Sequence, residues 1–249
     1  MEFPLLHEDM TTSGFFLFRW RSYLPLLLIV PILVAALEFE YLFKDQTFEY
    51  CWLLACLLIS LAGETIRIMT VGFVPRGTSG RNTTSQRANE LNTTGIYSVV
   101  RHPLYLGNFL IIMGIVVAIH SLWLTLLVCL LYWLYYERIM LAEESFLEDT
   151  FGNDFTEWSR RTPAIIPQPN LWKRATLQFS MRTVLRREYN TIFAIFLLFT
   201  IIAVTGESMF SQKLVIPPAW LALLLAALFF YLVIWAMKHF SNVLRVEGR

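Results

Sequence analysis

The chain is punctuated by apolar runs about as long as a bilayer is thick, and that feature limits its fold more than any other. Roughly 20 apolar residues in a helix cross the hydrocarbon core. Runs of that order begin at Tyr23, Tyr50, Leu104, Leu122, Tyr189 and Pro217. A hydrophobic share of 56% and a mean hydropathy of +0.54 exceed the apolar share of about 45–50% usual for soluble domains. Lipid satisfies no backbone polar group and a helix satisfies its own. The expected fold is therefore all-α: a polytopic membrane helix bundle of about six transmembrane helices, including a short helical hairpin.

The first run, Tyr23 to Phe43, contains Pro25 and Pro31, and Pro31 is expected to kink it. Ahead of it, Phe15, Phe16, Phe18 and Trp20 mix with Arg19 and Arg21, which suits either a helix in the headgroup layer or a flanking anchor. Glu2, Glu8 and Asp9 argue against a signal peptide. The second run, Tyr50 to Val74, carries Glu64 and Arg67 at a spacing that puts both on one helix face. Charges within a membrane helix face a partner or a functional cavity, and both readings stay open. Cys51, Cys56 and Cys129 lie in apolar segments without metal-ligand spacing and read as small hydrophobes.

Only His120 and Ser121 separate the runs Leu104 to Ile119 and Leu122 to Tyr136, so these must pack as an antiparallel hairpin. Each is short for a full crossing, and His120 at the tip is expected in solvent. Glu137 to Pro169 is polar and helical in its first half. Gly152 stops that helix, and Pro163, Pro167 and Pro169 prevent regular structure beyond it. In 170–189, Lys173, Arg174, Arg182, Arg186 and Arg187 alternate with apolar residues, the pattern of an interfacial helix on an anionic leaflet. The expected organisation is an N-terminal unit over 1–74, a core over 75–169 and a C-terminal unit over 170–249.

With the N-terminus in the cytosol and about six crossings, the outer loops hold only Lys44 and Lys213. Apart from Arg67, the other basic residues then fall on the cytosolic side, with the loop 75–103 and the region 137–188. The sequons at Asn82 and Asn92 would go unmodified there. A net charge of +1 without a basic stripe argues against a nucleic-acid partner.

Polar groups at a membrane boundary cost free energy and need a reason. Such groups enter the hairpin as Tyr97, Arg101, His102, Tyr105 and Asn108, and leave it as Glu137, Arg138, Glu143 and Glu144. Both ends of a hairpin lie on the same side, so the two sets are expected to form one pocket of cations, carboxylates and aromatics.

These residues carry a resemblance. The order Gly95-x-Tyr97-x-x-x-Arg101-His102-Pro103-x-Tyr105-x-Gly107, a hairpin, Glu143-Glu144, then Phe151-Gly152-x-x-Phe155-x-x-Trp158 and a proline resembles the isoprenylcysteine carboxyl methyltransferase and phospholipid methyltransferase family. It covers about Asn82 to Pro167 and leaves the last two spans as additions. The resemblance implies an enzyme using S-adenosylmethionine in a cytosol-facing site. It implies that Asn89, Glu90, Leu91, Asn92, Tyr97, His102, Pro103, Leu104, Tyr105, Glu143 and Glu144 line the cofactor. An arginine before the carboxylate pair would hold the acceptor: Arg138, one residue out of the family's register, or else Arg101. No metal is implied.

The chemistry of these residue types agrees. Carboxylates and aromatic faces suit a sulfonium donor, and the arginine fork suits carboxylate or phosphate oxygens. An acceptor that is already an oxyanion needs positioning rather than a base, and positioning supplies about 7–11 kcal/mol of barrier reduction. The expected partner is a membrane lipid or lipidated substrate. A lipid phosphate of the lipid A 1-phosphate type is favoured by the two extra helices, and a prenylcysteine carboxylate is the alternative. Phospholipid amine methylation, nicotinamide-dependent membrane reduction and transport are more distant readings.

Overall fold

The computed structural model describes residues 5–21, 23, 27–39, 45–75, 88–246 and 248. Pro25, Glu40, Lys44 and Asn82 lie outside them. The helices are α1 (Leu6–Trp20), α2 (Ile29–Leu37), α3 (Gln46–Phe73), α4 (Pro103–Val117), α5 (Leu122–Phe151), α6 (Asn153–Arg161), α7 (Met181–Ser211) and α8 (Pro218–Phe240). No strand occurs among the described residues, and a single bridge pairs Gly95 with Lys173. The fold is the all-α membrane bundle expected. α3, α5, α7 and α8 are long and apolar enough to cross a membrane, and α4 is a shorter apolar helix.

Side-chain caps start α3, α5 and α7. Asp45 accepts from the Thr47 and Phe48 amides before α3, and Ser121 and Ser180 do the same before α5 and α7. Gly152, at φ +53°, ends α5. Between Ser121 and Gly152 nothing breaks the helix. The apolar run and the polar segment after it are therefore one rod of 30 residues, about 45 Å long. That revises the short second arm expected for the hairpin.

α3 and α4 approach closely along glycines. A Cβ on Gly63 would stand 2.5 Å from the Gly107 carbonyl oxygen, and one on Gly114 would stand 2.5 Å from that of Cys56. Ser60 Oγ donates to the Ile111 carbonyl at 2.9 Å across the same seam. α1 packs lengthwise and antiparallel on α5: Gly14 meets the Arg138 carbonyl and Ala142, and Tyr135 donates to the Leu17 carbonyl at 3.0 Å. α7 closes the bundle against α3, with Ile195, Phe199 and Ala203 in one core with Leu53, Cys56, Leu57 and Trp220.

Other sequence expectations are corrected. Within Tyr23 to Phe43 the described helix is α2, nine residues long. Pro31 sits in its first turn, where no amide is missed and no kink arises. The basic segment 170–189 is not a separate interfacial helix. Lys173 pairs with Gly95 in extended chain, and Arg182, Arg186 and Arg187 are the opening turns of α7, which runs on without a breaker. Its inner face there is Thr183, Val184, Glu188 and Tyr189, all buried. Cys56 is buried, but Cys51 and Cys129 face outward from the bundle.

Glu64 and Arg67 do share a face, at 3.6 Å. Arg67 also reaches Glu188 of α7 at 2.6 Å and bonds Asn108 of α4, so the arginine ties three helices together.

His120 is not in solvent. It turns the chain at φ +60°, and its side chain is 4% exposed. The ring lies between Trp52 and Phe39, with Nε2 2.7 Å from a Glu49 oxygen. The tight turn sets the ring against the aromatic wall at the start of α3. His120→Ala leaves a buried carboxylate without its partner, which costs about 1–3 kcal/mol. Thermal unfolding in detergent is expected to drop by a few degrees, and an unchanged midpoint would show that the pair is idle.

Candidate active site at the polar end of the helical hairpin

The site begins with a turn that side chains and a distant strap hold in shape. Gly95 takes φ +61°, a conformation open to glycine, and leads into a single 3-10 turn over Ile96–Ser98. Ser98 Oγ donates to the Gly95 carbonyl at 2.7 Å and accepts the Lys173 amide at 2.8 Å. Backbone bonds join Arg101 N to Pro163 O, His102 N to Ala164 O, and Gln168 N to Val99 O. Trp158 of α6 donates to the Tyr97 carbonyl at 3.1 Å. Pro103 then opens α4 at the first helical position, where its missing amide is harmless.

This turn sets its side chains against the far half of α5. Tyr105 Oη donates to Glu143 at 2.9 Å. His102 is buried, with Nε2 2.8 Å from Glu144 and Nδ1 3.8 Å from Glu143. Arg101 pairs with the same Glu144 at 3.3 Å, while its Nε–H is buried with no partner. Glu144 thus orders both neighbours. Glu143 keeps 35% of its side chain exposed, leaving carboxylate surface for a ligand. Burial pushes the Tyr97 phenol up, with the nearby Glu143 charge adding to the effect, so Tyr97 stays neutral and able to donate.

Toward the apolar part of the hairpin the site becomes aromatic. The His102 and Tyr105 rings stack at 5.7 Å, and Tyr136 lies 5.0 Å from Tyr105 and 4.2 Å from Tyr132. Tyr132 donates to the Tyr105 carbonyl at 2.6 Å.

Of the residues singled out in the sequence, Arg101, His102, Tyr105, Glu143 and Glu144 form one bonded cluster. Pro103 is buried and Leu104 half-buried at the start of α4. Asn89 and Glu90 are exposed, Leu91 and Asn92 half-buried, in the irregular run leading into Gly95; the described bonds of the cluster do not include them. Arg138 points elsewhere: its Nη1 donates to Ser13 of α1 at 3.2 Å. Sequence reasoning missed Tyr132, Tyr136 and the strap 163–173. A run of four aromatics, Tyr132, Trp133, Tyr135 and Tyr136, was the available sign of the first two.

In comparisons with known proteins, the phospholipid methyltransferase family pattern matches residues 52–154. A cobalt-zinc-cadmium resistance protein, CzcN, of Cupriavidus metallidurans is 34% identical over 147 residues, 58% of this chain and 63% of that protein. A protein-S-isoprenylcysteine O-methyltransferase of Schizosaccharomyces pombe is 34% identical over 77 residues, 31% of this chain and 33% of its own. Protein-S-isoprenylcysteine O-methyltransferase B of Arabidopsis thaliana is 24% identical over 150 residues, 57% of this chain and 74% of its own. The chain spans 63% and 64% of the two metal-resistance relatives it matches. No solved structure matches.

Proposed function

We propose that the chain, whose residues 52–154 match the phospholipid methyltransferase family pattern, methylates an anionic oxygen of a lipid-linked acceptor with S-adenosylmethionine as donor. The observation that carries this reading is the Arg101–His102–Tyr105–Glu143–Glu144 cluster. It sets a partly exposed carboxylate beside aromatic faces and a buried, partnerless guanidinium N–H.

That donor set fits the cofactor. Glu143 supplies negative charge for a sulfonium and an amino group. Tyr97 and Tyr105 supply ring faces, on which a cation is stabilised. Asn89 to Asn92 and His102 to Leu104 complete the lining, as the resemblance implies. When bound beside Glu143 and the rings of Tyr97 and Tyr105, S-adenosylmethionine would supply an electrophilic methyl group for an acceptor oxygen.

The chain's own groups need move no proton. Glu144 fixes Arg101 and His102, so these side chains hold their places before a ligand arrives. Arg101 then offers its Nε–H to the acceptor oxyanion, a bond that relieves the cost of a buried unsatisfied donor, about 1–3 kcal/mol. Arg138 anchors α1 rather than the acceptor. The excess of lysines and arginines near this end supports a cytosolic site.

Two acceptors have this chemistry, a lipid phosphate of the lipid A 1-phosphate type and a prenylcysteine carboxylate. The names of the Schizosaccharomyces and Arabidopsis relatives favour the second at least as well. Purified protein incubated with deuteromethyl-labelled donor distinguishes them. One arm holds N-acetyl-S-farnesylcysteine and the other a phosphate-monoester lipid in nanodiscs, and mass spectrometry reads a three-deuteron methyl ester. Label in either arm supports oxyanion methylation and names the acceptor. Label only on an amine lipid supplied alongside contradicts it.

A further inference from the structure

One charged group beside the site comes from outside the matched segment. Arg21 follows the last turn of α1, before α2 begins at Ile29. It lies one helical turn beyond Leu17, whose carbonyl accepts the Tyr135 hydroxyl at 3.0 Å. Its guanidinium sits 4.2 Å above the ring of Phe18, which is buried. Tyr135 adjoins Tyr136, whose ring lies 5.0 Å from that of Tyr105. The end of α1 thus brings a cation to the aromatic half of the site.

Its level along the bundle matters. α1 runs antiparallel to α5, from Ala142 beside Gly14 to Tyr135 beside Leu17. Tyr136 precedes Glu143 by two turns of α5, about 10 Å along the axis. Arg21 therefore stands on the apolar side of the tyrosines, while Arg101, His102 and Glu144 stand on the polar side. An arginine at membrane depth is costly and faces the protein interior or a polar ligand. Its planar guanidinium fork matches carboxylate or phosphate oxygens.

On the reading that the chain methylates a lipid-linked oxyanion, we propose that Arg21 is the capture point for the acceptor's anionic headgroup. It draws the headgroup from the bilayer and passes it along the Tyr136 and Tyr105 rings toward Arg101. A group with this role sets acceptor affinity and leaves the cofactor's site alone. It makes α1 a determinant of which lipids are methylated.

The test uses the full chain in nanodiscs with two probes, N-acetyl-S-farnesylcysteine and phosphatidic acid. For Arg21→Gln, KM for whichever probe the wild type methylates is expected to rise about 10- to 100-fold, as for loss of a charge-assisted contact. S-adenosylmethionine affinity and kcat should stay within about twofold of the wild type. Arg21→Lys should recover part of the KM, and Arg19→Gln, on the exposed face of α1, should leave it unchanged. An unchanged KM in Arg21→Gln, or a loss of cofactor binding in its place, overturns the inference. If the wild type binds no cofactor and methylates neither probe, the methyltransferase reading itself fails, a different outcome. If Arg21→Gln does not fold, wild-type protein photolabelled with phosphatidic acid carrying a headgroup diazirine decides: label on Leu17–Tyr23 supports capture there, and label confined to other segments overturns it.

Discussion

Glu143→Ala is expected to weaken S-adenosylmethionine binding by about 10- to 150-fold while the protein stays folded. Glu143 accepts the Tyr105 hydroxyl at 2.9 Å and keeps part of its carboxylate open. A hydrogen bond to a charged group contributes about 1.5–3 kcal/mol, and 1.4 kcal/mol is a factor of ten in affinity. Isothermal titration of the wild type and the variant reads the ratio. Glu144 differs, because its oxygens are already engaged by His102 and Arg101. Glu144→Ala should therefore loosen the turn as well as the ligand. If Glu143→Ala binds the cofactor as tightly as the wild type, the carboxylate does not face it.

The second large effect lies in the seam that positions the site. In Gly63→Leu, the new Cβ meets the Gly107 carbonyl at 2.5 Å and the Ile111 amide nitrogen at 2.9 Å. Both are backbone atoms that cannot rotate away. Overpacking costs about 1–3 kcal/mol where side chains can yield, and here α3 and α4 must separate, so the loss is expected at or above about 3 kcal/mol. Separation also pulls Arg67 from Asn108 and displaces Tyr105, three residues earlier on α4. Thermal unfolding in detergent should fall steeply, with cofactor binding lost. Gly152→Ala is the contrast: nothing lies within 4 Å of its added Cβ, so only the strain of φ +53° remains, about 1–3 kcal/mol. Equal midpoints for Gly63→Leu and wild type would mean that the two helices do not pack as described.

The sequence reading anticipated the side-chain cluster around Glu143 and Glu144 and missed its supports, for physical reasons. The pairing of Arg101, His102 and Tyr105 with Glu143 and Glu144 follows from a turn too short to let α4 and α5 diverge. The strap over 163–173 works through backbone amides and carbonyls. Such bonds leave no residue signature, and the prolines there read only as an absence of helix. Arg67 looked satisfied by Glu64 because the two lie three residues apart. Its shorter contact is Glu188, 121 residues away on α7, a pairing that no local pattern carries. The basic residues before Tyr189 suggested a surface helix because charge was read without continuity; α7 has no breaker at that point, and a buried face runs through it. Gly14, by contrast, sits among the bulky aromatics of α1 and marks the close approach to α5 that the sequence reading did not use.

The most direct test of the central claim is calorimetric titration of the detergent-purified wild-type protein with S-adenosylmethionine. The account predicts saturable one-to-one binding in the micromolar range, about −8 kcal/mol, carried by the cluster around Glu143. A folded, monodisperse protein that takes up no S-adenosylmethionine would contradict it.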